Sequence, residues 1–147
     1  MIRRAAADEM ETVRTLFREY QADLGIDLCF QSFEEELVGL PGKYVAILFA
    51  EVDGAIAGVV ALRPWGEGIG KMKRLFVRPG FQGRGLGRAL AEAVAEEARR
   101  ECYRALHLDT LSTMAAAVAL YRKMGFVEID AYTVNPVAGA MYFELPL

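Results

Sequence analysis

The chain has 147 residues, 54% of them hydrophobic and 25% charged, which supplies one packed core and excludes a disordered polymer. Seventeen Lys and Arg against 20 Asp and Glu leave a net charge of −3, which argues against general attraction to nucleic acid or to an anionic membrane surface. The longest apolar runs, Ala55 to Leu62 and Met114 to Tyr121, are about eight residues, far short of the roughly 18 to 20 that span a bilayer.

Acidic Asp8 and Glu9 arrive before any apolar signal core can form, so a cytoplasmic protein is expected. No linker, repeat or composition break divides residues 1–147, which read as a single domain. Cys29 and Cys102 form no C-x-x-C pair and are expected to be free, small buried hydrophobes. With a single His107, a histidine-rich metal site is impossible, and no metal is expected.

In chain order, residues 1–7 read as a short strand. From Asp8, apolar residues at Met10, Val13, Leu16, Phe17, Tyr20 and Leu24 recur every three to four positions, an amphipathic helix stopped at Gly25. Ser32-Phe33-Glu34-Glu35 has the form of a capping box opening a second, short helix that ends at Gly39 and Pro41. Tyr44 to Val52 and Ala55 to Arg63 are apolar, β-branched runs about Asp53-Gly54, the signal for a tight hairpin. A glycine-rich loop, Gly66 to Gly70, precedes a strand from Met72 to Val77. Leu86 to Arg100 is a helix with Leu86, Leu90, Val94 and Ala98 on one face. Ala105 to Leu111 reads as a strand, Ala115 to Met124 as a helix stopped by Gly125, and Phe126 to Ala131 and Ala140 to Leu145 as closing strands. This is a mixed α/β sheet with helices packed on its faces.

Gln82-Gly83-Arg84-Gly85-Leu86-Gly87 lies between a strand and a helix. Alternate glycines bare the backbone, so N–H groups can converge on an anion while the helix dipole adds positive charge; the competing reading is an ordinary glycine-rich turn. A Walker loop needs Gly-Lys-Ser/Thr where Gly85-Leu86-Gly87 stands, and a dinucleotide fingerprint would place Arg88 at its third glycine.

The pattern Gln82-x-x-Gly85-x-Gly87 resembles the acyl-CoA loop of the GCN5-related N-acetyltransferase (GNAT) superfamily. Leu120-Tyr121-Arg122-Lys123-Met124-Gly125-Phe126 is similar to that family's later Leu-Tyr-x-x-x-Gly-Phe element. The resemblance implies an acyl-CoA N-acyltransferase fold, with about seven strands, about four helices and two parallel central strands splayed apart, and acetyl-CoA as co-substrate. It implies that amides of Gln82, Gly83, Arg84, Gly85, Leu86, Gly87 and Arg88 hold the pyrophosphate, with the Arg84 and Arg88 side chains either on phosphate or in solvent. The pantetheine arm would pair with the strand holding Leu75, Phe76 and Val77, where an amide of Phe76 or Val77 would meet the oxyanion. Tyr121 resembles the family tyrosine beside the thioester sulfur, suited to protonating a thiolate.

Two positions depart from the family. The glutamate base carried by some members, eleven positions before the loop glutamine, is Lys71 here; Glu67, Asp109 or a water chain are the remaining bases. Met114 stands where many relatives have Asn. Lys71, beside the glycine-rich loop, is expected to face the acceptor and favour an amine that also carries an anionic group, unless it snorkels to solvent. Tyr20, Phe30 and Phe33 are either core or the acceptor wall, and His107 is a hydrogen-bonded core or cleft histidine. The expected activity is acetyl transfer to the primary amine of a small molecule. Protein N-terminal or lysine acetylation and a non-catalytic acyl-CoA sensor are the alternatives. The expected partners are a small-molecule amine, no nucleic acid and no membrane, compatible with a homodimer.

Overall fold

Seven strands form one mixed sheet in the order β1-β2-β3-β4-β5-β7-β6. They are β1 (Ile2–Arg4), β2 (Ala46–Val52), β3 (Ala55–Gly66), β4 (Ile69–Val77), β5 (Ala105–Leu111), β6 (Val127–Ile129) and β7 (Ala140–Pro146). The helices are α1 (Met10–Leu24), α2 (Phe33–Val38), α3 (Leu86–Arg100) and α4 (Ala115–Met124). This computed structural model describes residues 1–25 and 32–147. Among the described residues no helix is long and apolar enough to cross a membrane.

Strand alternation sends successive side chains to opposite faces, and each face has its own core. Val60, Leu62, Met72, Leu106, Leu108 and Phe143 pack against Leu90, Val94 and Ala98 of α3 and Tyr121 of α4. On the other face Phe49, Val59, Ala61 and Phe76 pack against Val13, Leu16 and Phe17 of α1 and Leu37 of α2. The apolar spacing of α1 and α3 is thus used as a buried stripe on each helix.

Three local expectations are corrected. Ser32 makes no capping hydrogen bond; it sits at φ +55°, outside the extended backbone that a capping serine adopts. The segment Gly66 to Gly70 is mostly strand: β3 runs through Gly66 and β4 begins at Ile69, leaving Glu67-Gly68 as a tight turn with Gly68 at φ +70°. Cys102 is exposed; it follows α3 at φ +61°, and this left-handed turn puts the thiol outside the core. Cys29 and Phe30 lie outside the described residues.

Two irregularities in β4 position everything that follows. Val59 faces Phe76 and Ala61 faces Lys73, so Arg74 and Leu75 share the single position opposite Val60. That is a β-bulge, with Arg74 at φ +60°. On its other edge β4 pairs in parallel with β5 only at Ile69–Ala105, Gly70–Leu106 and Lys71–His107. From Met72 and Leu108 onward the two strands part.

Candidate active site

The parting of β4 and β5 opens a cleft with about 700 Å³ of empty space, including solvent at its mouth. Met72, Leu108 and Tyr121 on its wall belong to the core under α3. Tyr20 of α1, also on its wall, packs against the opposite core. The cleft is therefore a passage between β4 and β5 walled by residues of both cores. Unpaired backbone along β4 supplies N–H and C=O groups that a ligand can complete like a missing strand.

Charge is concentrated on the α1 face of the passage. The Lys71 ammonium, 4% exposed, lies 3.1 Å from Asp109 Oδ1 and 4.0 Å from the centre of the Trp65 ring. Asp109 also accepts hydrogen bonds from Tyr132 Oη at 3.4 Å and Asn135 Nδ2 at 3.2 Å. Burial pulls the Lys71 amine below its ordinary value, opposed by the Asp109 carboxylate. Arg74 makes a two-pronged pair with Glu36 of α2, at 3.0 and 3.1 Å, over the Phe33 ring. Between these two paired cations in the sequence, Lys73 lines the cleft; burial, then the charges of Arg74 and Lys71, bring its amine down to about 7. Tyr121 is held above the ordinary phenol range, first by burial, so it keeps its proton at neutral pH.

Beyond the bulge, β4 leads through a 3₁₀ turn, Pro79–Phe81, into the glycine loop and α3. Gly83 and Gly85 have φ of +81° and +76°, and a Cβ added at either would meet no protein atom within 4 Å. Gly85 is the N-cap of α3 and brings no capping side chain, so the first-turn amides are left for an external acceptor. The loop thus fits a pyrophosphate, and fits it through the backbone.

Residues 10–126 match the Acetyltransferase (GNAT) family. The chain belongs to the GNAT acetyltransferase family. It is 32% identical over 145 residues to an uncharacterized N-acetyltransferase of Schizosaccharomyces pombe, covering 95% of this chain and 89% of the yeast protein. It is 36% identical over 107 residues to the IAA acetyltransferase of Azospirillum brasilense, 70% of this chain and 69% of that one. A Salmonella typhimurium acetyltransferase solved with its cofactor acetyl-CoA shares the fold with a TM-score of 0.71 and 22% identity, over 99% of this chain and 92% of that one. The protein is an acetyl-CoA-dependent N-acetyltransferase.

Against this GNAT frame the sequence-derived residues separate into groups. Leu75, Tyr20 and Tyr121 line the cleft, and Phe76 and Val77 return to pairing with β3 after the bulge. Phe33 is core, 1% exposed beneath Arg74, and is absent from the cleft wall. Lys71 spends its charge on Asp109 rather than presenting it to solvent or ligand. Arg88 is bound to Glu92 at 2.7 Å, and Arg84 lies over the Phe81 ring. His107 is buried with Nε2 2.8 Å from Glu144 Oε2, and Glu67 is exposed in the β3–β4 turn. Sequence reasoning passed over Lys73 and Arg74. Their period-2 neighbours Met72 and Leu75 read as ordinary strand, and only the three-cation run Lys71, Lys73, Arg74 marked the segment.

Proposed function

We propose that the acetyl group is passed to the primary amine of a small molecule, by direct attack while both substrates occupy the passage. The observation that carries this reading is that side chains of α1 and of the β6–β7 connection wall the cleft together with β4 and β5. Tyr20 and Leu24 line it, as do Asn135 and Val137 of the β6–β7 connection. Walls contributed by separate parts of the chain suit a compact acceptor better than an extended peptide backbone, which needs an open groove.

Each chemical demand meets a group of this chain. Amides of the loop from Gln82 to Arg88 hold the pyrophosphate, and the free edge of β4 from Met72 to Val77 aligns the arm that carries the thioester. An amide on that edge, preorganised by the bulge, stabilises the oxyanion that develops as the amine attacks. The two strands hold both reactants in one passage, which converts a bimolecular encounter into a local one. Tyr121, kept protonated by burial, gives its proton to the departing thiolate and is reprotonated by the new ammonium.

The test is release of free CoA thiol from acetyl-CoA on addition of a panel of small primary amines and a panel of peptides. Acceleration by one or more amines, with peptides inert, is the expected result. Peptides alone accelerating release would make the protein the acceptor, and tight acetyl-CoA binding without release by any acceptor would make the chain a sensor.

A further inference from the structure

Three cations follow one another on β4, and two are neutralised within the protein. Lys71 is held by Asp109 at 3.1 Å and Arg74 by Glu36 at 3.0 Å. Among the described residues no carboxylate lies within 4.0 Å of the Lys73 ammonium. Lys73 sits opposite Ala61, directly before the bulge in β4, and lines the cleft. Alternation puts it on the same face as Lys71, the α1 face.

We propose that Lys73 is the general base of the reaction, its neutral amine taking a proton from the acceptor's ammonium before attack. The inference rests on acetyl transfer to an amine, and it names the residue that fills the role left open by Lys71 at the family's glutamate position.

The groups facing Lys73 explain why it, and not a neighbour, can serve. Burial is the largest single influence; Arg74 and Lys71 on its own strand also disfavour a third charge, while Glu36 of α2 and Asp109 of β5 favour it more weakly. Arg63 of β3 adds to the positive side around Lys71, and Tyr20 of α1 and Tyr121 of α4 bring phenols that stay neutral. With its amine near 7, Lys73 is about half deprotonated at neutral pH, the condition under which a base works best. Arg74 cannot act this way, because a guanidinium does not deprotonate in proteins. Lys71 is tied to Asp109.

The protons balance. An acceptor R–NH₃⁺ gives one proton to Lys73 Nζ, which releases it to solvent. The resulting R–NH₂ attacks the thioester carbonyl, the C–N bond forms and the C–S bond breaks. The second proton of the attacking nitrogen replaces the one that Tyr121 gives to sulfur. Amide, free thiol and one solvent proton result.

The experiment compares Lys73→Met, Lys73→Arg and Lys73→His with wild type, using the best amine of the panel, from pH 6 to 10. Wild-type kcat/KM is expected to rise to a plateau with its bend near 7. Lys73→Met and Lys73→Arg are expected to lose about 10²- to 10⁴-fold in kcat at pH 7. Their rates should climb tenfold per pH unit toward the acceptor's own pKa, with KM for acetyl-CoA within about twofold. Lys73→His should recover part of the loss, because free imidazole titrates near 6.5. Retention of most of the rate by Lys73→Arg would show that charge rather than basicity matters, and would overturn the proposal. A rise in acceptor KM alone in Lys73→Met would do the same, assigning the lysine to anion binding. Should Lys73→Met fail to fold, the Arg and His variants carry the same comparison. A wild-type chain that binds acetyl-CoA but transfers to no amine removes the functional reading, and the proposal with it.

Discussion

The Lys71 ammonium reaches past the last paired rung of β4 and β5, where its own backbone faces His107, to the carboxylate of Asp109 at 3.1 Å. The pair bridges the two strands just where they part. Trp65 and Tyr132 cover it, with Lys71 Nζ 4.0 and 5.1 Å from their ring centres. A cation so enclosed is paired with its own neighbour before any acceptor arrives.

Breaking that pair from one side leaves a nearly dry carboxylate. Lys71→Met is expected to lower stability by roughly 3 to 5 kcal/mol at pH 7, and adding Asp109→Asn should restore most of the loss. Urea unfolding of the single and double variants measures both. A single variant within about 0.5 kcal/mol of wild type would show that water already reaches the pair.

At the phosphate loop, Gly85→Ala introduces a methyl at φ +76° into space that no protein atom fills. The left-handed backbone costs about 1 to 2 kcal/mol in stability. The methyl, projecting into the anion's place, should weaken acetyl-CoA binding by about tenfold or more, a loss of about 1.4 kcal/mol. Gly80→Ala, in equally open space without a positive φ, should leave calorimetric affinity unchanged. Equal affinity for both variants would move the pyrophosphate away from this loop.

Tyr121→Phe removes one oxygen from a residue 5% exposed and leaves its contacts with Phe126 and Phe143. Acetyl-CoA affinity should hold while kcat drops by about 10²- to 10⁴-fold. Varying the acyl donor then separates the roles: an acetyl thioester of a more acidic thiol should recover part of the rate. A kcat within about twofold of wild type would assign the phenol to packing.

Acid should loosen the attachment of α2 to the bulge. Burial pushes the Glu36 carboxyl up, but the Arg74 hydrogen bonds and charge outweigh it and hold the carboxyl below its ordinary 4.5. A depressed carboxyl contributes stability that is present above the ordinary value and is lost as pH falls through the folded one. The stability gap between wild type and Glu36→Gln should therefore be widest near pH 7 and close progressively below about 4.5. Thermal unfolding of both from pH 7 to 3 follows it; a gap independent of pH would place the contribution of Glu36 in packing.

What could be read in the chain was whatever a contiguous segment encodes. The apolar period of α3, the glycines before it and the Asp53-Gly54 hairpin each carry their own local physics, and all three stand in the structure. The parting of β4 and β5 is different in kind. Met72 to Val77 alternates in the same way whether or not a neighbour pairs with it, so hydropathy alone is silent about the gap. Arg74 at φ +60° carries no glycine or asparagine to announce its bulge. The Lys71–Asp109 pair joins residues on different strands, and its burial depends on Tyr132 arriving from the β6–β7 connection. Contacts of that sort become visible only once the sheet is assembled.

Among the described residues, three parallel rungs alone join β1–β4 to β5–β7–β6 within the sheet. Mechanically, that seam is a hinge line between a four-stranded leaf and a three-stranded one, stiffened from outside by α3 and pinned at its base by Lys71 and Asp109. The ligand-free protein should breathe along it, and hydrogen exchange at the facing edges of Met72–Val77 and Leu108–Leu111 should outpace that of the strands around them. On the proposed function, acetyl-CoA laid into the seam would bring more than an acetyl group: it would fasten the two leaves together, and exchange at those edges should slow when it binds.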